Sequence, residues 1–310
     1  MTALICGSIA YDTVMVFPGR FRDHILPDRI HMLNVAFLVP SMQRNFGGCA
    51  GNIAYNLGLL GVDAAPMATV GNDFGPYRNW MNSCGMRSEH VRVLEDQYTA
   101  QAFITTDLDD NQITAFHPGA MNQSQINHVP DDPGIGLGVV APDGREGMLQ
   151  HAVEFAEAGI PMLFDPGQGL PMFDGPELED FIDKATWIAV NDYEGKLLEE
   201  RTGISLERIA ARVQALIVTR GAAGSLIFSG GREIAIPAAR ADAVVDPTGC
   251  GDAYRAGLIC GITRQLDWET TGRLASLMGA IKVTRAGTQN HRLDLASLGD
   301  LFHSAFGRSL

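Results

Sequence analysis

A chain of 310 residues with 23 Lys and Arg against 36 Asp and Glu, for a net charge of -13, lacks the clustered cations that nucleic acid or an anionic membrane surface demands. Its five cysteines, Cys6, Cys49, Cys84, Cys250 and Cys260, are odd in number, scattered and without a CxxC pair. They indicate neither a disulfide framework nor a zinc site, and point to a reducing cytoplasm. The length suits either one large α/β domain or one domain with a small appendage, and needs no linker.

The N-terminal run TALICGSIAY is apolar, carries no basic leader and is too short to span a bilayer, so it reads as a buried first strand. Asp12 follows it as a short acceptor amid apolar residues, where a lone carboxylate needs partners: ligand hydroxyls, or a local turn. Residues 13–17 and 31–39, with 99–106 and 112–117, favour strands but have no helices between them. They predict a small β appendage, acting as a lid over the mouth of a larger sheet or as a surface for pairing with a second subunit. Between its last two strands, Asp107, Asp109 and Asn111 mimic the start of a calcium loop. Gln112 stands where such a loop needs Gly and Pro118 where it needs Glu, so the segment reads as a hairpin turn.

In FGGCAGNIAYNLGLLG, residues 46–61, paired glycines lead directly into an amphipathic helix. Gly47 and Gly48 permit close backbone approach by a hydroxyl-rich ligand, and Asn52 on the first helical turn is suited to a diol. The alternative is an ordinary strand-to-helix turn with Asn52 exposed.

From about residue 137 short apolar runs alternate with amphipathic stretches, a β-α-β-α rhythm that implies a mostly parallel sheet flanked by helices, with ligands beyond the carboxyl ends of the strands. Asp165, Asn191 and Thr219 end three of those runs. In NDYE, Asn191 and Glu194 are spaced to hold the water shell of Mg²⁺, and equally to form a helix capping box. VTRGAAGS, containing Thr219, Gly221 and Gly224, suits either nucleotide phosphates or a plain hairpin.

VDPTGCGDAYRAG, residues 245–257, is the most informative segment. Gly249 and Gly251 allow a tight turn that gathers the N–H groups around Cys250 and Gly251 at the positive end of the following helix, an anion hole. Asp252 sits at its mouth, placed to take a proton from an attacking hydroxyl; the plainer alternative is a glycine turn with a capping Asp. Two further helices follow, in GDAYRAGLICGITR and WETTGRLASLMGAIKVTRAG. There is no GxxxxGK[ST] and no dinucleotide fingerprint, and the eight histidines show no metal-binding spacing.

GGCAGNIAYNLGLLG and DPTGCGDAYRAG together resemble the two signature regions of the ribokinase-like carbohydrate and nucleoside kinases, in an order and spacing that match over nearly the whole chain. GSIAYD, FPGRF, LDDNQITAFHPGAM and NDYE are similar to segments of the adenosine and purine nucleoside kinases within that family. The resemblance implies a ribokinase-like α/β fold over residues 1–310, with lid strands within 13–46 and 98–118. It implies an ATP and Mg²⁺ dependent kinase of a purine nucleoside, in which Asp252 is the base and Gly249, Cys250 and Gly251 form the anion hole. Ser8, Asp12, Gly48 and Asn52 would bind the ribose, Phe116 would stack on the base, and Gln168 would reach the nucleoside edge. Asn191, Thr219, Gly221 and Gly224 would line the ATP site. Glu194 would meet Mg²⁺ through water, and Asp246, Thr248 and Gly287 would meet the K⁺ that many members bind.

Three departures carry expectations. Cys250 replaces the usual Ala, which a backbone anion hole tolerates; Arg255 replaces the usual Asn and adds a charge near the phosphates; Ala102 replaces a lid aromatic and widens the purine pocket. The same-fold rival is a kinase of a free sugar, ribose or fructose. The rival from another class is a non-catalytic ligand-binding member, which the intact Asp252 and anion hole oppose. A homodimer joined through the lid completes the expectations.

Overall fold

The computed structural model describes residues 1–25, 34–109 and 111–310. The strands are β1 (Thr2–Cys6), β2 (Ala10–Val16), β3 (Ser41–Gly47), β4 (Ala64–Gly71), β5 (Val91–Leu94), β6 (Ala100–Thr106), β7 (Gln112–His117), β8 (Ile135–Val140), β9 (Met162–Phe164), β10 (Trp187–Asn191), β11 (Ala215–Thr219), β12 (Ser225–Ser229) and β13 (Arg232–Ile236). The helices are α1 (Cys49–Leu59), α2 (Gly75–Ser83), α3 (Arg145–Glu157), α4 (Gly175–Lys184), α5 (Asp192–Thr202), α6 (Leu206–Ala210), α7 (Cys250–Thr263), α8 (Trp268–Val283) and α9 (Leu298–Phe306).

Nine strands form the main sheet in the order β13-β12-β11-β10-β9-β8-β1-β4-β5, parallel except for the β11-β12-β13 hairpins. Both of its faces are covered, so successive residues of one strand enter opposite cores. Ala3 and Ile5 of β1 pack towards α1 and α7, while Leu4 and Cys6 pack towards the α3 and α4 side. This double burial is why β1 reads as a continuous apolar run. β1 lies between β4 and β8, where the connections reverse direction across the sheet, and a crevice opens there beyond the strand ends.

Four further strands form the predicted lid in the order β3-β2-β6-β7. Two boundaries differ from the sequence reading: the run TALICGSIAY is not one strand, since β1 ends at Cys6 and Ala10 and Tyr11 already belong to the lid strand β2, which carries Asp12. Residues 31–33 lie outside the described residues and 34–39 form no strand; the ladder partner of β2 is Ser41–Gly47, paired Asp12 with Asn45. The apolar run spends its side chains on packing instead: the Phe37 ring lies 4.8 Å from Phe17 and 4.9 Å from Phe21. The calcium-loop mimic is a hairpin turn, with the Asp107 carboxylate accepting N–H bonds from Phe21, Asp109 and Asn111 at 2.8, 3.0 and 2.9 Å.

Among the described residues no helix is long and apolar enough to cross a membrane.

Candidate active site

A cleft of about 730 Å³ runs along the carboxyl ends of the main-sheet strands, beneath the lid. Strand geometry explains which residues reach it. Ser8 follows β1, Asp143 follows β8, Asp165 follows β9, Asn191 ends β10 and Thr219 ends β11, and parallel pairing brings these ends to one edge. From the lid, a row of register partners points down: Asp12 pairs with Ala102, which pairs with Phe116, and all three line the cleft.

Two helices begin at its centre. α1 starts after Gly48, whose φ of 85° and contact distance of 2.5 Å from a would-be Cβ to the Ser8 carbonyl admit no side chain. The hydroxyl of Ser8 accepts the Cys49 N–H at 3.1 Å, replacing a conventional N-cap from across the chain. α7 starts after Gly249 in the left-handed region at φ 78°, close against Thr288. Gly251 and Asp252 lie in its first turn and line the cleft, and N–H groups there have no helix carbonyl ahead of them. The expectation for Cys250 needs correction: its N–H bonds the Pro247 carbonyl at 3.1 Å, its thiol lies 3.9 Å from the Asp246 carbonyl, and it is not part of the cleft lining.

Asp252 lies beside these amides. Burial pushes its carboxyl up to about 7, with Asp165 adding to the effect while the Asn52 bond and the Arg255 charge oppose it. Asn52 donates to Asp252 Oδ2 at 2.7 Å. Its orientation is dictated by a chain that sequence reading missed. Trp80 Nε1 donates to Gln289 Oε1 at 2.9 Å, and Gln289 Nε2 donates to Asn52 Oδ1 at 3.0 Å, leaving the Asn52 amide nitrogen aimed at the carboxylate. Asn52 is therefore buried, not the exposed residue of the plainer alternative. Asp12 is also desolvated, its carboxyl raised to about 6 by burial and by repulsion from Asp246.

Arg255 departs from its expected role. It is 4% exposed and donates to Asp165 at 2.9 Å and to the Ala189 carbonyl at 3.2 Å, with Glu194 at 3.9 Å. Its charge is neutralised in the cleft floor, not offered freely to phosphates. Asn191 and Glu194 build the capping box: the Glu194 N–H donates to Asn191 at 2.7 Å and the Asn191 N–H to Glu194 at 2.8 Å, while both residues line the cleft. Gln168 and Thr219 line it as well. Gly221 and Gly224 form the turn between β11 and β12, directly after the cleft-lining Thr219 and outside the lining themselves.

Of the three residues expected to meet K⁺, Asp246 is already engaged by a side-chain cation, and its carboxylate accepts the Thr248 and Gly287 N–H groups. The Lys282 ammonium donates to the Asp246 carbonyl at 2.6 Å and the Arg285 carbonyl at 3.3 Å, with the Asp246 carboxylate 3.8 Å away. Among the described residues no cluster of His, Cys, Asp and Glu is arranged to hold a metal ion. Asp143, also missed, is a buried carboxyl in the cleft wall raised to about 8 by burial; its strand-end position in APDG was the available signal.

The model of the pfkB family carbohydrate kinases matches residues 11–294. The chain belongs to that family. A pfkB family kinase is a phosphotransferase with a hydroxyl acceptor, and ATP is its phosphoryl donor. The structure of the Burkholderia thailandensis nucleoside kinase in complex with inosine superposes on this kinase with a TM-score of 0.90, at 56% identity over 99% of each chain. The Methanocaldococcus jannaschii nucleoside kinase is 31% identical over 261 residues, 83% of this chain and 85% of its own. The nucleoside kinase of Methanothermobacter thermautotrophicus is 31% identical over 279 residues, 88% of this chain and 90% of its own. The ribokinase-like fold expected from the two signature regions is thereby established.

Proposed function

We propose that the chain is an ATP-dependent kinase that transfers the γ-phosphoryl group to the 5′-hydroxyl of a purine nucleoside. The observation that carries this reading is the continuity of one cleft from Asp252 at the mouth of α7 to Phe116 on the lid, which gives room for a sugar and a base together. The inosine complex of the 56% identical Burkholderia thailandensis enzyme supports it.

In this reading the ribose lies between Asp12, Gly48 and Asn52, with Ser8 donating its remaining hydroxyl proton. Asp252, with a carboxyl near 7, is poised to accept the 5′-hydroxyl proton at neutral pH. The first-turn amides of α7 hold the charge that develops on the transferred group. Phe116 stacks on the base and Gln168 reaches its edge. Ala102 opposite Phe116 leaves width for adenine, hypoxanthine or guanine. Mg²⁺ enters with the triphosphate and keeps most of its water shell, with Glu194 reached through water. Asn191 and Thr219 lie along the nucleotide path, with the Gly221 and Gly224 turn beyond.

The outer face of the lid carries Met42, Phe103 and Ile113, 67%, 41% and 45% exposed, which suits pairing with a second copy. The unpaired thiols accord with a cytoplasmic enzyme of purine salvage. Steady-state kinetics on adenosine, inosine, guanosine, ribose and fructose test the assignment; comparable or better efficiency on a free sugar transfers it to the sugar-kinase reading.

A further inference from the structure

Lys282 is fully buried near the C-terminus of α8, an unusual place for a side chain that seldom leaves water without partners. Its surroundings are specific. The ammonium bridges two carbonyls from separate segments, Asp246 in the turn that precedes α7 and Arg285 in the stretch after α8. The carboxylate of the same Asp246 accepts the Thr248 N–H at 2.9 Å and the Gly287 N–H at 2.8 Å, tying those segments together a second time. The Pro247 carbonyl then accepts the Cys250 N–H, and Gly249 packs on Thr288, so the geometry of this junction passes directly to the amides that open α7. Burial pulls the Lys282 pKa down from its ordinary value, and the adjacent Asp246 opposes that shift.

Main-chain carbonyls and a carboxylate gathered around a single positive charge, here two carbonyls and the Asp246 carboxylate, are also the kind of ligand a desolvated monovalent cation requires. Here the charge is covalently attached. We propose that the Lys282 ammonium is a built-in substitute for a monovalent cation, a positioning residue that holds the anion-hole loop in its active shape, so that the enzyme needs no K⁺. The inference rests on α7 being the phosphoryl-transfer site. It concerns a residue that touches neither substrate nor the reacting atoms.

The test compares K⁺, Na⁺ and choline at equal ionic strength, in two readouts. For the native chain, the kinase rate with the best nucleoside and the melting temperature both stay the same on exchange of choline for K⁺. Activation by K⁺ of about tenfold, equivalent to 1.4 kcal/mol in the barrier, overturns the proposal. For Lys282→Ala, kcat falls in choline with little change in nucleoside KM, and K⁺ or ammonium raises both the rate and the melting temperature, as a ligand bound only by the folded state must. A Lys282→Ala enzyme as fast as native in choline overturns it too. If that variant fails to fold, the native measurements still decide. Absence of kinase activity with every acceptor would instead count against the functional assignment, and the cation dependence of the melting temperature would still test the role of Lys282.

Discussion

The two ends of the cleft are built on opposite principles. At the α7 end the groups are desolvated and fixed: Asp252 is held by Asn52, Asn52 by Gln289, and Arg255 by Asp165, on helices α1 and α7 and the segments that face them across the cleft. At the lid end, β7 is exposed along its whole length and Phe116 is 49% exposed. The chemical end is preorganised before substrate arrives, which stabilises charge in the transition state without reorganisation. The lid end leaves an exposed aromatic beside the cleft, and in the proposed function that is where substrate choice would reside and where remote binding energy would drive closure.

Removing the base tests the chemical end most severely. Asp252→Asn is expected to lower kcat by roughly 100- to 10,000-fold on every acceptor, the usual worth of a general base, with nucleoside binding little changed. Near-native turnover would remove Asp252 from the mechanism. The pH profile sharpens the same point. A carboxyl raised to about 7 is the active base only above that pH, so kcat/KM should fall on acidification through about 7, and no such limb should appear if another group takes the proton.

Breaking the buried pair comes next. Asp165→Ala leaves the Arg255 guanidinium in a desolvated floor with the Ala189 carbonyl at 3.2 Å and, as its nearest remaining carboxylate, Glu194 at 3.9 Å, and removing one partner of a buried pair costs about 3–5 kcal/mol. The midpoint of urea unfolding should drop accordingly. An unchanged midpoint would mean that water reaches the floor and that the chemical end is less rigid than its geometry implies.

The lid predictions are smaller and selective. Phe116→Ala should cost nucleosides roughly 1–3 kcal/mol in kcat/KM, the worth of stacking one base, and leave any ribose activity nearly unchanged. Equal loss on both, with lowered stability, would make Phe116 a core residue of the lid. Phe103→Asp, on the outer face, should convert a dimer to monomer by light scattering with little effect on monomer chemistry. A native chain that is already monomeric would refute the lid interface.

Much of the cleft was legible from local pattern. Strand periodicity placed Asp165, Asn191 and Thr219 at one edge because parallel strands bring their carboxyl ends together. Glycines before apolar helices marked both helix starts, since a positive φ at Gly48 and Gly249 is a local requirement. What local pattern does not encode is pairing across the chain. Arg255 meets Asp165 across 90 positions and Gln289 meets Asn52 across 237, and neither separation leaves any period in the sequence.

The same division separates what the amino-acid order determined from what tertiary structure decided. Order alone determined the α/β architecture, the helix mouth with its carboxylate and the lid strands β2, β6 and β7, because each follows from short-range sterics and the burial period of a strand or helix. Tertiary structure decided the third lid strand, the silent partnering of Arg255 and the placement of the Lys282 ammonium beside Asp246. Those outcomes depend on which charges become desolvated together. Desolvation is a property of the packed interior and has no signature in any one segment.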